Sequence, residues 1–377
     1  MYNIMNQTLQ KHTVTRVNIR SLQGRYPRYH GKNAVKGNHG YGRKIAVAVI
    51  TTDSGIQGWG ELCRPAGSDN EDIPDIIGKK VGELIHADSG ILDQQLHSLD
   101  IALHDLAGRI LNLPVSRMIN PEAVSGIPIY DGAIYMNDLI DPAEPEDTDI
   151  VVRDCLTDYQ MGYRAFKVKI GRGFQWMDHE EGLKRDIRIV NEIHKQLPDV
   201  KLLVDANDGY TYEDTIRFLD GIKGCPLYWI EEPFRENKED LTRLKEYLSQ
   251  HFPDTLIADG ESMLSEPLLD ELLEDSLVDV ALPDICSYGF TPWRKRLEEM
   301  RSSGYKGGPH AWGNMIKTRY CAHLAAAYPG KIPYVEGILG DTKGMDGDPY
   351  HIENGVLYIP QKPGFGMDLL KGKEEEL

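Results

Sequence analysis

Seven ionisable residues close short apolar runs at a regular interval along this chain: Lys169, Asp205, Glu231, Glu261, Asp284, His310 and Glu336. Successive members stand 23 to 36 residues apart. That interval is the length of one strand, loop, helix and loop. A chain that returns to the same height at each interval builds a parallel β/α barrel, whose strand ends all open into one mouth. Groups spread over 167 residues of sequence are therefore expected to meet in one site.

The runs themselves predict eight strands. IPIYDGAIY, FKVKI, KLLVDAN, LYWIEEP, LIADGE, VDVALPD, KGGPHAW and PYVEGIL follow in order within 126–340. Helices over 182–197, 240–250 and 267–275 fit between them. Ahead of the barrel, TVTRVNIRSL alternates in the β manner, and IAVAVITTDSGIQGWGEL reads as a hairpin about Asp53-Ser54-Gly55. The stretch 20–43 between them is rich in Gly, Tyr, Arg and Lys and is expected to be a lid loop. Leu92, Leu96, Leu99, Leu103, Leu106 and Ile110 mark one face of a packing helix that Pro114 ends. The Gly- and Pro-rich tail, 341–377, carries a short strand, GVLYIP, and is expected to pack back on the first 125 residues.

The net charge of −17 argues against a nucleic-acid surface, which needs clustered Lys and Arg. An anionic small substrate stays open, because an acidic protein can hold a locally positive site. The five cysteines are scattered, without metal-ligand spacing, and read as reduced core thiols of a cytoplasmic protein. The amino terminus lacks the apolar run of a secretory signal, and no apolar stretch is long enough to span a membrane.

Asp205, Glu231 and Glu261 follow apolar residues on three successive strands. Three oxygen ligands suit a hard divalent cation, Mg²⁺, with positions left for substrate oxygens. Zinc is disfavoured because no His or Cys joins the set. Asp259 and Glu232 are neighbours that compete for the ligand role. Lys167 and Lys169 share one face of a strand by alternation. Two ammonium groups side by side lower each other's pKa, and a metal lowers both further, which would make Lys169 a base near neutral pH. Asp284, one strand before His310, can fix the imidazole tautomer and raise its basicity. A lone acid or histidine at a strand end is as readily a salt bridge or a packing group. The series together carries the functional reading.

These linked motifs (SLDIALHDLAGRILNLP, the K-x-K strand, VDAN, WIEEP, the G-E turn, LPD, PHAWG and KPGFG) resemble the enolase superfamily, and within it the mandelate racemase subgroup. The resemblance spans nearly the whole chain. It implies an α/β fold, a modified (β/α)7β TIM-type barrel under an α+β capping domain built from both chain ends. It implies one Mg²⁺ per subunit on Asp205, Glu231 and Glu261. It further implies Lys169 and the His310–Asp284 pair as bases, Lys167 near the substrate carboxylate, Asn207 beside the first ligand, and Glu336 against the developing enolate. A homo-oligomer is implied as well. The segment between Lys169 and Asp205 is longer than the simplest family pattern.

The expected reaction removes the proton beside a carboxylate. Mg²⁺, Lys167 and a protonated Glu336 would meet the charge that develops. Dehydration of a sugar acid to a 2-keto-3-deoxy acid leads. Arg25, Tyr26, Tyr29 and His30, with Arg28 and Lys32, would make the lid suited to a polyhydroxylated anion. Racemisation, epimerisation or cycloisomerisation of a related acid uses the same groups and stays open. A Schiff-base aldolase, with lysine as nucleophile, and a non-catalytic scaffold are the readings from other classes. Asp341–Glu353 resembles a calcium loop in composition, but Ile352 stands where the bidentate Glu is needed.

Overall fold

The computed structural model describes residues 1–64, 73–261, 265–300 and 304–370. After a short helix, Tyr2–Leu9, come β1 (Val14–His30), β2 (Gly40–Thr52) and β3 (Gln57–Glu61). Eight further strands make the barrel: β4 (Gly126–Ile134), β5 (Ala165–Lys169), β6 (Lys201–Asp205), β7 (Leu227–Glu231), β8 (Leu256–Asp259), β9 (Val280–Ala281), β10 (Lys306–Gly307) and β11 (Val335–Gly337). They pair in parallel from β4 through β10, and β11 pairs with β4 on its other side. Among the described residues, helices α1 (Asp149–Gln160), α2 (His179–Gln196), α3 (Tyr212–Gly221), α4 (Lys238–His251), α5 (Glu266–Glu274), α6 (Phe290–Glu299) and α7 (Met315–Ala327) alternate with the strands. Seven strand–helix units plus an eighth strand form the modified TIM barrel.

Strand alternation sorts the side chains. Phe166, Val168, Leu202, Val204, Ile230 and Ile257 face outward into the large core shared with the helices. Tyr130, Ala165, Leu203, Trp229, Ala258, Val280 and Leu282 fill the barrel interior. Lys167 and Lys169 share the inward face with Ala165, Asp205 with Leu203, and Glu231 with Trp229. The register then levels the functional positions: Lys169 pairs with Asp205, and Asp205 with Glu231. Polar ends on an apolar stack are what the strand order dictates.

Local chemistry starts and stops the helices. The Asp178 side chain accepts from Glu180 N and Glu181 N at the start of α2. Thr211 and Asp214 form a capping box on α3. Leu183, Ile189, Val190 and Ile193 bury the inner face of α2, and truncating one to alanine costs about 2–5 kcal/mol.

The antiparallel capping sheet runs β12-β1-β2-β3, where β12 is Asp341–Lys343 from the tail. Helix Asp100–Leu111 lies so close on β3 that a Cβ at Gly58 would stand 2.3 Å from Leu106 Cα. Asp105 on that helix accepts from Trp59 N and Phe365 N, tying the sheet to the tail. GVLYIP goes elsewhere: β14 (Val356–Tyr358) pairs antiparallel with β4, and β13 (His351–Glu353) pairs with β14. Its apolar edge completes the barrel sheet, not the cap.

Two local expectations differ. The expected helical face from Leu92 begins as a 3₁₀ segment, Gln94–Leu99, capped by Asp93, and becomes α-helical only at Asp100. The expected lid over 20–43 is mostly strand, because β1 continues to His30 and β2 begins at Gly40. Gln23, Gly24 and Arg25 pair with Lys44, Arg43 and Gly42. The backbone hydrogen bonds of a hairpin outweigh the Gly-rich composition there.

Candidate active site

Asp205, Glu231 and Glu261 each offer one carboxylate oxygen to a group in which all three lie within 4.8 Å of one another. Asp205 and Glu231 are fully buried strand ends. Glu261 is delivered by the turn after β8, where Gly260 takes φ +109°, a region that favours glycine. Asp259 and Glu232, the two sequence competitors, stay outside the group. The backbone beyond the first two ligands is strained as well. Asn207, Asp208 and Glu232 have positive φ of 44°, 58° and 40°. Non-glycine residues hold such angles at a cost and do so mainly where function requires it.

The donor set fits a hard cation. All ligand atoms are carboxylate oxygens, and Glu261 Oε2 is buried without a hydrogen-bond partner among the described residues. Trp229 Nε1 donates to Glu231 Oε2 at 3.1 Å, and Asn207 N to Asp205 Oδ1 at 2.9 Å, which orients both carboxylates.

Both lysines enter this acid group. Lys167 Nζ lies 2.5 Å from Glu231 Oε1, 3.1 Å from Glu336 Oε1 and 3.4 Å from Asp205 Oδ2. Lys169 Nζ contacts Asp205 Oδ2 and lies 3.3 Å from Asn207 Oδ1. Mutual repulsion was expected to lower their pKa values. Burial, the largest influence, pulls Lys169 down, and so does Lys167, but Asp205, Glu261 and Glu231 together raise it. Lys167 is raised well above its ordinary value, with Glu231 and Glu336 overcoming burial. Asp205 is lowered: burial acts against its ionisation, and Lys169 and Lys167 override that.

Across the acid group stands the imidazole. His310 Nδ1 is 3.1 Å from Asp284 Oδ2, and its Nε2 is 3.2 Å from Glu261 Oε1 and 3.8 Å from Glu336 Oε2. Asp284 and His310 form a parallel β-bridge, so the pairing is built into the sheet. Asp284 Oδ1 accepts from Cys286 N and Ser287 N, 2.9 Å each. Glu336 Oε2 accepts from Ala311 N at 2.7 Å. Burial opposes its ionisation, but Lys167, His310 and that N–H lower its pKa. An ionised carboxylate accepts and does not donate, and the donor beside Glu336 is the Lys167 ammonium, 3.1 Å from its Oε1.

Residues 151–373 match the family described as enolase C-terminal domain-like. The chain belongs to this family. A D-galactarolactone cycloisomerase from Agrobacterium fabrum is 25% identical, over 87% of this chain and 90% of its own. A galacturonate dehydratase from Geobacillus sp., solved with D-galacturonate and 5-keto-4-deoxy-D-galacturonate, is 32% identical with a TM-score of 0.85, over 96% of this chain and 95% of that one. A mandelate racemase/muconate lactonizing protein from Geobacillus sp., solved with magnesium and tartrate, is 31% identical with a TM-score of 0.87, over 96% and 94%.

The lid residues named from sequence scatter around this enolase-family site. Arg25 is exposed. Tyr29 packs edge-on against Tyr41 with centroids 5.1 Å apart. Tyr26 is buried and donates to Gly313 O at 2.8 Å. His30 is fully buried, stacked 4.3 Å from Tyr26, with neither ring nitrogen hydrogen-bonded among the described residues. Arg28 is paired with Asp158, and Lys32 donates to Ile140 O at 2.8 Å.

Sequence reading missed Lys317, whose Nζ donates to Asp284 Oδ2 at 2.9 Å, the oxygen that also holds His310. It sits in α7, every residue of which is buried. The ionisable residues Lys317, Arg319 and His323 set among the apolar residues of that helix were the available signal. It also missed Tyr135, whose ring lies 5.4 Å from Lys169 Nζ, just past the end of β4.

Proposed function

We propose that the chain is a magnesium-dependent sugar-acid dehydratase. The observation that carries this is one mouth in which three carboxylates cluster, with Lys169 on one flank and the His310–Asp284 pair on the other. Asp205, Glu231 and Glu261 would hold the ion. When bound, it supplies positive charge to the substrate carboxylate as the second negative charge builds there, and draws on the carboxylates that otherwise keep Lys169 protonated. Lys167 holds an ammonium beside the same position, fixed by Glu231 and Glu336. Lys169 or His310 accepts the proton of the carbon beside the carboxylate. The other, in its protonated form, delivers a proton to the neighbouring hydroxyl, whose C–O bond breaks as water leaves. The resulting enol becomes the 2-keto-3-deoxy acid. Roles for Lys167, Lys169, His310, Asp284 and Glu336 follow from their positions. The galacturonate dehydratase and cycloisomerase relatives support carboxylate-adjacent chemistry on sugar acids. Isomerisation is the alternative, since two acid/base groups on separate flanks also suit removal and return of one proton.

A panel of D-galacturonate, galactarate, D-arabinonate and D-xylonate with Mg²⁺, read as semicarbazone of the keto acid, tests the proposal. Keto acid from at least one is expected. Solvent deuterium uptake without keto acid selects isomerisation, and borohydride trapping with a keto acid selects an aldolase. Magnesium at one hundred times its dissociation constant is expected to stabilise the fold by about 2.7 kcal/mol; no thermal shift sinks the metal assignment. The five buried free thiols support a cytoplasmic setting, and among the described residues no helix is long and apolar enough to cross a membrane. The family resemblance supports a homo-oligomer, which light scattering measures.

A further inference from the structure

The turn from 31 to 39, between β1 and β2, is fastened on both sides. Gly31 N donates to Asn137 Oδ1 at 2.7 Å, and a Cβ at Gly31 would lie 2.6 Å from Met136 O. Trp176 Nε1 donates to Asn33 O and Gln175 Nε2 to Ala34 O, 2.7 and 2.8 Å. The turn is thereby bolted to the loops after β4 and β5. This holds the His39 ring against Tyr135 and Trp312, with centroids 4.6 and 5.3 Å away, and those two rings stand 4.6 Å apart. Tyr26 and His30 stack behind them.

The polar edges of these three rings are uncommitted. His39 Nδ1 lies 2.8 Å from Gly31 O. A carbonyl only accepts, so Nδ1 carries the proton and Nε2 of the neutral ring presents a lone pair. Burial keeps the ring neutral by lowering its pKa, against the pull of the Gly31 carbonyl. Among the described residues, no hydrogen bond engages His39 Nε2, Tyr135 Oη or Trp312 Nε1. The wall borders the acid group: the Tyr135 ring lies 5.4 Å from Lys169 Nζ, which contacts Asp205.

We infer that His39, Tyr135 and Trp312 form the subsite for the hydroxyl-bearing carbons of the substrate beyond the two that react, with His39 Nε2 accepting from a substrate hydroxyl. The inference rests on the dehydratase reading and adds a selection to it. Ring faces cover the C–H faces of a sugar chain, while one acceptor and two donors match hydroxyls, which both donate and accept. A carboxylate at the position His39 reads would set acceptor against acceptor. The subsite therefore selects a hydroxylated chain over a second acid group there.

The test uses the full chain with Mg²⁺ and the variants His39→Phe, which keeps a ring and removes the acceptor, and Tyr135→Phe, which removes only the uncommitted hydroxyl. Calorimetric binding of the preferred acid of the panel is compared with that of D-glycerate, which has no carbon beyond the reacting pair. Each variant is expected to weaken the sugar acid about tenfold, a loss of one good hydrogen bond, and to bind glycerate within twofold of wild type. Equal losses on both ligands, or none on the sugar acid for either variant, overturn the subsite. A wild type that binds both ligands but yields no keto acid defeats the dehydratase reading instead, while the ratio of the two affinities still reads the subsite.

Discussion

His310 and His323 stand only thirteen residues apart, yet occupy opposite kinds of interior. His310, in the barrel mouth, has a carboxylate against each ring nitrogen. Burial lowers its pKa, but Glu261, Glu336 and Asp284 together raise it. His323, where α7 meets the tail, accepts from Ser116 N through Nδ1 and lies 2.8 Å from Tyr350 Oη, which donates on to Phe365 O. It is neutral, its pKa lowered by burial to about 3. The mouth concentrates charge, strained backbone and uncommitted polar atoms. Around His323 the seam commits both ring nitrogens to fixed partners and keeps the ring neutral. Such a difference marks the mouth as selected for chemistry at the expense of stability, and the seam as selected for stability.

The largest expected break in that contrast is at the flanks of the mouth. Lys169→Ala and His310→Asn are each expected to lower kcat by about 10²–10⁴-fold, the usual worth of a positioned acid or base. Magnesium binding, followed by calorimetry, should survive in both, because neither side chain belongs to the three-carboxylate group. Undiminished turnover in either variant removes that residue from proton transfer. Asp284→Asn should cost less, about 10–100-fold, mainly in kcat. Asp284 reaches the substrate only through His310, and the amide cannot balance both His310 and Lys317. A loss confined to KM would show that it shapes binding and does not orient the imidazole.

What could be read from the sequence follows the same division. Strand-end residues were legible because alternation and a regular repeat convert spacing into direction: Lys167, Lys169, Asp205 and Glu231 needed only the period of a strand and of a barrel. Glu261 needed one glycine to aim it. Lys317 and His39 were not legible, since each acts through a contact made across the fold, from α7 to Asp284 and from the 31–39 turn to Tyr135. Charge balance misled in the same way. Spacing placed two lysines side by side and suggested repulsion, whereas the carboxylates folded around them reverse the sign. Composition likewise suggested a lid loop over 20–43, where Gly31 and Trp176 fasten a short turn between two strands.

The smallest expected effect belongs to the seam and is one of stability with pH. The folded pKa of His323 is lowered to about 3 from an ordinary value of 6.5. The fold therefore prefers the neutral ring. Its contribution is complete above about pH 6.5 and is lost progressively as pH falls toward 3, where the unfolded chain binds a proton that the folded chain refuses. One pH unit below the ordinary value, the loss is on the order of 1 kcal/mol. Urea unfolding of wild type and His323→Gln between pH 7.5 and 5 isolates this share from that of the carboxylates, which is common to both. The stability gap between the two proteins should narrow as pH falls, because glutamine cannot be protonated. A gap that stays constant over that range would mean His323 accepts its proton in place, and its surroundings would then hold a charged ring as readily as those of His310.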